Sequence, residues 1–151
     1  MGTFTIRCRI ENTVERQRGA VLKLLVDTGS EFTWVPAETL ERIGVHREKK
    51  DVPFIMANGQ RVTRAVGFAI IRVGTNFTID EVVFADKGDL HLLGARTLEG
   101  LNLMVDSARK RLVAAGPLPA ASVRPPRTPS SPRAKVLLRR RGSRRAGGPR
   151  R

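Results

Sequence analysis

The chain has 151 residues with 28 Lys+Arg against 14 Asp+Glu, and its net charge of +14 is unevenly placed: residues 1–116 hold 17 basic and 14 acidic side chains, residues 117–151 hold 11 basic ones and no acid. The second stretch also carries 7 of the 9 prolines and no aromatic residue, too polar and self-repelling to offset the entropy of ordering, so residues 117–151 are expected to be a disordered basic tail. What remains is one domain of residues 1–116, long enough to bury roughly two-thirds of its unfolded surface and too short for a two-lobed enzyme.

No apolar run approaches the roughly 20 residues that cross a bilayer, so no membrane span is expected. The start, Met1-Gly2-Thr3-Phe4-Thr5-Ile6, lacks the charged and apolar regions of a secretory signal, and Ile6 stands where a myristoylation signal wants Ser or Thr. The expected location is cytoplasmic. Cys8 is the only cysteine and can form no internal disulfide; with just His46 and His91 beside it no structural zinc spacing exists, and no metal is expected.

From Thr3 to Ile10 the chain alternates, with Phe4, Ile6, Cys8 and Ile10 on one face, which predicts a half-buried strand. Ala20 to Val26 is apolar on both faces except for Lys23, the pattern of a strand inside the core, and it leads directly into Asp27-Thr28-Gly29-Ser30. Phe32, Trp34 and Val35 resume a strand that Pro36 stops. Ala37 to Ile43 then reads as a short helix with Leu40 and Ile43 inward and Gly44 at its C-cap. Val52 to Met56 and Arg61 to Val73 flank Asn58-Gly59, a pair suited to a type I′ hairpin turn. Beyond Gly74, Phe77 and Ile79 alternate until Asp80-Glu81, and Val82 to Phe84 resume in a shifted phase that suggests a bulge. Leu90 to Leu93 reads as a short strand, Ala95 to Glu99 as a helical turn stopped by Gly100, and Leu101 to Val105 and Arg111 to Val113 as closing strands. The expected fold class is mainly β: a small, partly closed β-barrel with one or two short helices.

The segment that carries chemistry is Leu24-Leu25-Val26-Asp27-Thr28-Gly29-Ser30, an acid set immediately after a hydrophobic strand at a sharp turn. One carboxylate alone does little. Two within about 3 Å cannot both ionise, so the pair shares one proton and supplies a base to activate water and an acid to protonate a carbonyl oxygen. The chain holds no second copy of the motif, since Asp106-Ser107-Ala108 lacks the glycine and reads as a β-turn. A two-fold axis beside Asp27 remains as the way to pair it, which predicts an isologous homodimer.

At these residues the sequence resembles the retropepsin-like aspartic proteases, both the retroviral enzymes and their single-domain bacterial relatives. The resemblance covers roughly residues 3–113. It rests on Leu25-Val26-Asp27-Thr28-Gly29-Ser30, on Met56-Ala57-Asn58-Gly59 where those proteins carry a flap hairpin, and on Leu92-Leu93-Gly94 followed by Thr97-Leu98-Glu99-Gly100-Leu101 about 65 residues after the acid. It implies a retropepsin-type barrel active as a symmetric homodimer, an aspartic endopeptidase that acts on a peptide or protein substrate without a cofactor. Asp27 is then the catalytic acid and base, one from each subunit, Thr28 forms a hydroxyl network across the axis, and Gly29 lets the backbone approach the substrate. Ser30 is placed to bond the outer carboxylate oxygen. Met56, Ala57, Asn58 and Gly59 form the flap, and Leu92, Leu93 and Gly94 thread beneath the catalytic loop. Ala95 stands where the retroviral pattern has an arginine after this glycine, and Arg96 paired with Glu31 is the substitute expected here. His91 reads as a turn or surface residue.

The tail admits other uses. Arg139-Arg140-Arg141, Arg144-Arg145 and Arg150-Arg151 could hold phosphates non-specifically, so contact with nucleic acid is possible only through it. The competing function is a catalytically inactive retropepsin-fold module for dimerisation or peptide capture, anchored by this tail to nucleic acid or another acidic partner.

Overall fold

The first alternating run becomes β1 (Thr5–Glu11), whose even-numbered side chains go inward, Cys8 and Ile10 into the core and Ile6 against it. Residues 3–121 are described in the computed structural model, and residues 3–118 form one compact unit. Of the expected tail, residues 122–151 lie outside the described residues. Among the described residues no helix is long and apolar enough to cross a membrane.

β1 pairs antiparallel with β2 (Gly19–Val26), from Thr5↔Leu25 to Glu11↔Gly19. The apolar run predicts burial of β2 on both faces, yet only one is buried: Leu24 and Val26 enter the core, while Val21 is 56% exposed and Lys23 is exposed. The helices pack on β3 and β6 instead. β3 (Thr33–Pro36) runs into α1 (Ala37–Arg42), which buries Leu40. Ile43, just past its end, is buried too, and Gly44 follows at φ +80, where the missing Cβ relieves strain.

β4 (Lys49–Ile55) and β5 (Arg61–Val73) form the expected hairpin, but its turn is not type I′. The Gly59 N–H donates to the Met56 carbonyl at 2.8 Å and the Met56 N–H to the Gln60 carbonyl at 2.8 Å. Gly59 alone in the turn has positive φ, +83, which makes a three-residue loop with a type I turn followed by a left-handed glycine. Asn58 keeps negative φ and uses its side-chain oxygen to accept the Gln60 N–H at 2.9 Å.

β6 (Asn76–Ala85) pairs with β5 without a break from Val66↔Val83 to Val73↔Asn76, so the expected bulge is absent. The hydrophobic phase changes because the neighbours change: Val82 and Phe84 face the core, whereas Asn76, Thr78 and Asp80 on the same face meet α2 (Ala95–Gly100). The Asn76 amide donates to the Leu101 carbonyl at 3.0 Å, and a Cβ on Gly100 would stand 2.5 Å from the Thr78 hydroxyl. The irregularity lies one hairpin earlier, in β4, where the register shifts between Lys49 and Val52 around Asp51 at φ +56.

β7 is only Leu92–Leu93, shorter than the run suggests, and β8 (Leu103–Asp106) pairs with β9 (Arg111–Ala114) as a separate two-stranded sheet. The main sheet has the order β1-β2-β7-β3-β6-β5-β4, and β1 also pairs with β5 from Arg9↔Arg72 to Glu11↔Ile70. Six strands therefore close into a small barrel, with β4 attached outside the ring. Glu11, buried at this seam, is held below the usual carboxylate range chiefly by the hydrogen bond that Arg72 donates at 2.7 Å. A second apolar cluster of Trp34, Val66, Val83 and Ala85 lies at the base of the β4–β5 hairpin, with Phe32, Phe54 and Leu92 packed on it.

Candidate active site

β2 ends at Val26, and Asp27 opens the loop that leads into β3. The Asp27 N–H donates to the Leu93 carbonyl at 3.0 Å, so the loop starts from a bonded strand position. The Gly29 N–H donates to Asp27 Oδ1 at 2.9 Å. This bond fixes the carboxylate relative to its own loop. β7 fills the gap between the strand that enters the loop and the strand that leaves it, pairing parallel with β2 (Leu25↔Leu92, Val26↔Leu93) and antiparallel with β3 (Trp34↔Leu92).

The first turn of α2 closes the loop from beneath. The Ala95 N–H donates to the Ser30 carbonyl at 2.7 Å and the Arg96 N–H to the Glu31 carbonyl at 3.1 Å, which satisfies helix-terminal donors that have no partner within the helix. A Cβ on Gly94 would overlap the Phe32 carbonyl. Only glycine allows that approach. Leu92, Leu93 and Gly94 thus divide the work: Leu92 is half-buried and lines the groove over Asp27, Leu93 is fully buried core, and Gly94 makes the close approach.

The groove encloses about 270 Å3, with Asp27, Gly29, Ser30 and Trp34 as floor and Leu90 and Leu92 as wall. Ile55, Met56 and Ala57 of the hairpin overhang it, while Asn58 and Gly59 are exposed at the tip and do not line it. Among the described residues Asp27 is the one carboxylate lining this groove. A larger hollow of about 410 Å3 lies under the Asn12–Arg18 loop, but Arg18 and Glu15 there pair with each other at 3.2 Å. The Asp27 groove sets its carboxylate among apolar side chains at the end of β2, under the β4–β5 hairpin.

The hairpin is fastened at its base. The Phe54 ring meets Phe32 edge-on at 5.5 Å and Trp34 at 5.1 Å. Arg64 of β5 donates to both oxygens of Asp89, Nε at 2.7 Å and Nη2 at 3.0 Å, where the two side chains are 14% and 9% exposed. The hydrogen bond from Arg64 holds the Asp89 carboxyl below the usual range, and the bond from the Asp86 N–H adds to it. This pair ties the hairpin arm to the loop that carries Leu90.

Two expected contacts are not formed. The Ser30 hydroxyl donates to the Phe32 carbonyl at 2.9 Å, not to the Asp27 carboxylate, because the loop turns that carbonyl toward it. Glu31 and Arg96 make no side-chain ion pair; the Arg96 guanidinium lies over the Phe32 ring at 4.9 Å, and Glu31 is exposed. Thr28 is exposed, with no hydrogen-bond partner for its hydroxyl among the described residues. His91 is exposed, and Asp106 ends β8, where its side chain accepts the Arg109 N–H of the following turn at 3.2 Å.

The sequence reading passed over Ile55, Leu90, Arg64 and Asp89. For Arg64 a signal existed: it falls in line with Val62 and Val66 on one face of β5, and a cation in an apolar row needs an acidic partner.

Residues 13–97, more than half of the chain, match the aspartyl protease family and span both the Asp27 loop and Gly94. The chain belongs to this family. Its fold is retropepsin-like. The EIAV protease in complex with the inhibitor HBY-793 is 17% identical, with a TM-score of 0.52 over 65% of this chain and 86% of that one. The retroviral protease-like domain of Ddi1 from Leishmania major is 17% identical, with a TM-score of 0.50 over 82% of this chain and 99% of that one. At such identities the likeness is one of fold. No curated protein sequence matches the chain significantly.

Proposed function

We propose that this aspartyl protease family member is an endopeptidase that works as a symmetric homodimer, with one Asp27 from each subunit at the axis. The observation that carries this reading is the single carboxylate at the floor of the groove. It is held by its own loop, walled by apolar side chains and roofed by a hairpin, yet among the described residues no second acid lines the groove with it. A second copy supplies the missing group.

In the paired site one carboxylate takes a proton from water, which attacks the scissile carbonyl carbon, and the protonated partner gives its proton to the carbonyl oxygen. The substrate lies extended beneath the β4–β5 hairpin as an added strand, with apolar side chains against Ile55, Leu90, Leu92 and Trp34. Met56, Ala57, Asn58 and Gly59 close over it and exclude water. The exposed Thr28 hydroxyl is free to bond its symmetry mate and keep the two carboxylates coplanar. No cofactor enters the reaction.

The test is cleavage of a diverse peptide library across about pH 4 to 7, the range in which a carboxylate pair holds one proton, with Asp27→Asn run beside the wild type. Cleavage that disappears in the variant supports the reading. A confirmed dimer that cleaves nothing, with and without residues 117–151, moves the non-catalytic peptide-binding module to first place.

A further inference from the structure

Two threonines are fully buried in this domain, Thr33 on β3 and Thr97 in α2, and they touch: their hydroxyl oxygens are 2.6 Å apart. Thr97 also reaches Asp80 of β6, its Oγ1 standing 2.8 Å from Oδ2, while the other Asp80 oxygen accepts the Glu81 N–H at 2.7 Å. At the far end Thr33 Oγ1 accepts the N–H of Gly94 at 3.0 Å.

Proton counting gives this chain one direction. An ionised carboxylate accepts only, so the Thr97 proton must go to Asp80. Thr97 then has lone pairs alone to offer Thr33, whose proton points to it, and the Thr33 lone pairs are left for the Gly94 N–H. The order is Gly94 N–H to Thr33 to Thr97 to Asp80, each link polarising the next, with the two hydroxyls and the Gly94 N–H buried and Asp80 partly so. Gly94 in turn lies in the strap that holds the Asp27 loop, between the Leu93 carbonyl that accepts the Asp27 N–H and the Ala95 and Arg96 N–H groups that donate to Ser30 and Glu31.

We propose that Asp80, Thr97 and Thr33 are positioning residues for Asp27: the carboxylate of Asp80, acting through two ordered hydroxyls, fixes the Gly94 peptide and with it the loop that aims the reacting acid. None of the three lines the groove, so they act through the loop and not on substrate. The kinetic side rests on the peptidase reading above; the placement of the loop does not.

The experiment compares Thr97→Val, which keeps the shape and removes the hydroxyl, with Thr97→Ser, which keeps the hydroxyl, in the full chain. A displaced loop lowers kcat by about 10- to 100-fold in Thr97→Val, with KM within about twofold, at a temperature where both variants are folded by circular dichroism. Thr97→Ser retains most of the activity. Equal kcat in the two variants overturns the proposal, as does a fall that merely follows the folded fraction. If the wild type cleaves nothing, the peptidase reading fails by itself, and the loop is read from amide hydrogen exchange. Gly94, Ala95 and Arg96 must then exchange faster in Thr97→Val than in Thr97→Ser, and equal rates overturn the proposal. Should Thr97→Val not fold, Asp80→Asn at the partly buried end of the chain gives the same reading, with a smaller fall expected and an unchanged kcat and exchange pattern counting against it.

Discussion

The loop under Asp27 and the tip of the β4–β5 hairpin face each other across one groove and are built on opposite principles. The loop is over-determined: β7 on one side, α2 beneath, and a glycine at Gly94 whose absent side chain lets two backbones meet. The tip spends its hydrogen bonds within its own turn, and Ala57, Asn58 and Gly59 are exposed. A Cβ on Gly59 would meet nothing within 4 Å. On the proposed peptidase reading, the floor aims the carboxylate and the roof, bonded only within its own turn, closes over the substrate. Between them stand the fastenings of the roof, Phe54 against Trp34 and Arg64 against Asp89.

Changes to the floor break the comparison most sharply. Asp27→Asn lowers peptide cleavage by about 1,000-fold or more, the worth of the proton transfers it removes, while thermal melting stays within a degree or two because the side chain keeps its shape. Gly94→Ala forces the Phe32 carbonyl away and destabilises the domain by about 3 kcal/mol, measured by urea denaturation, with activity lost alongside.

The fastening comes next. Arg64→Met leaves Asp89 without its cation and costs about 2 kcal/mol at pH 7, below the full cost of breaking a buried pair because both side chains keep some exposure. The pH dependence has a definite sign. The folded-state pKa of Asp89 is depressed by Arg64, so its contribution is present above the unfolded value of about 3.9 and is lost as pH falls through the folded value. Melts of wild type and Arg64→Met must therefore begin to converge below about pH 4 and meet once the pH is below the folded value. Glu11, held low by Arg72, follows the same rule, its contribution present above the ordinary glutamate value and lost as pH falls through the folded one. The smallest effect belongs to the tip: Gly59→Ala strains a residue at φ +83 by about 1 kcal/mol and meets no neighbour, so melting falls by only a few degrees and KM changes more than kcat.

The same contrast explains what the sequence could disclose. The alternation of β1, the helix ending at Gly44 and the acid at the end of β2 are local patterns, visible in windows of a few residues. Asn58-Gly59 gave the hairpin but not its turn, because a left-handed glycine after a type I turn satisfies the same pair of residues. β6 misled for the opposite reason: Asp80 breaks the apolar alternation while staying on the inner face, since its partner Thr97 comes from a helix that local pattern cannot place against it. Arg64 with Asp89, and Thr33 with Thr97, join positions 25 and 64 residues apart. Analogy points Ser30 and Arg96 to carboxylates, whereas the structure gives Ser30 the Phe32 carbonyl and Arg96 the Phe32 ring.

The central claim is that each active site draws one Asp27 from each of two chains. Its most direct test mixes wild type with Asp27→Asn chains under conditions that let subunits exchange, and follows cleavage per wild-type chain. With random pairing at equal amounts, activity per wild-type chain falls to about half and keeps falling as the variant is added, because every mixed dimer lacks one carboxylate. Activity indifferent to added Asp27→Asn, with exchange confirmed, would contradict a shared site and place the chemistry within a single chain.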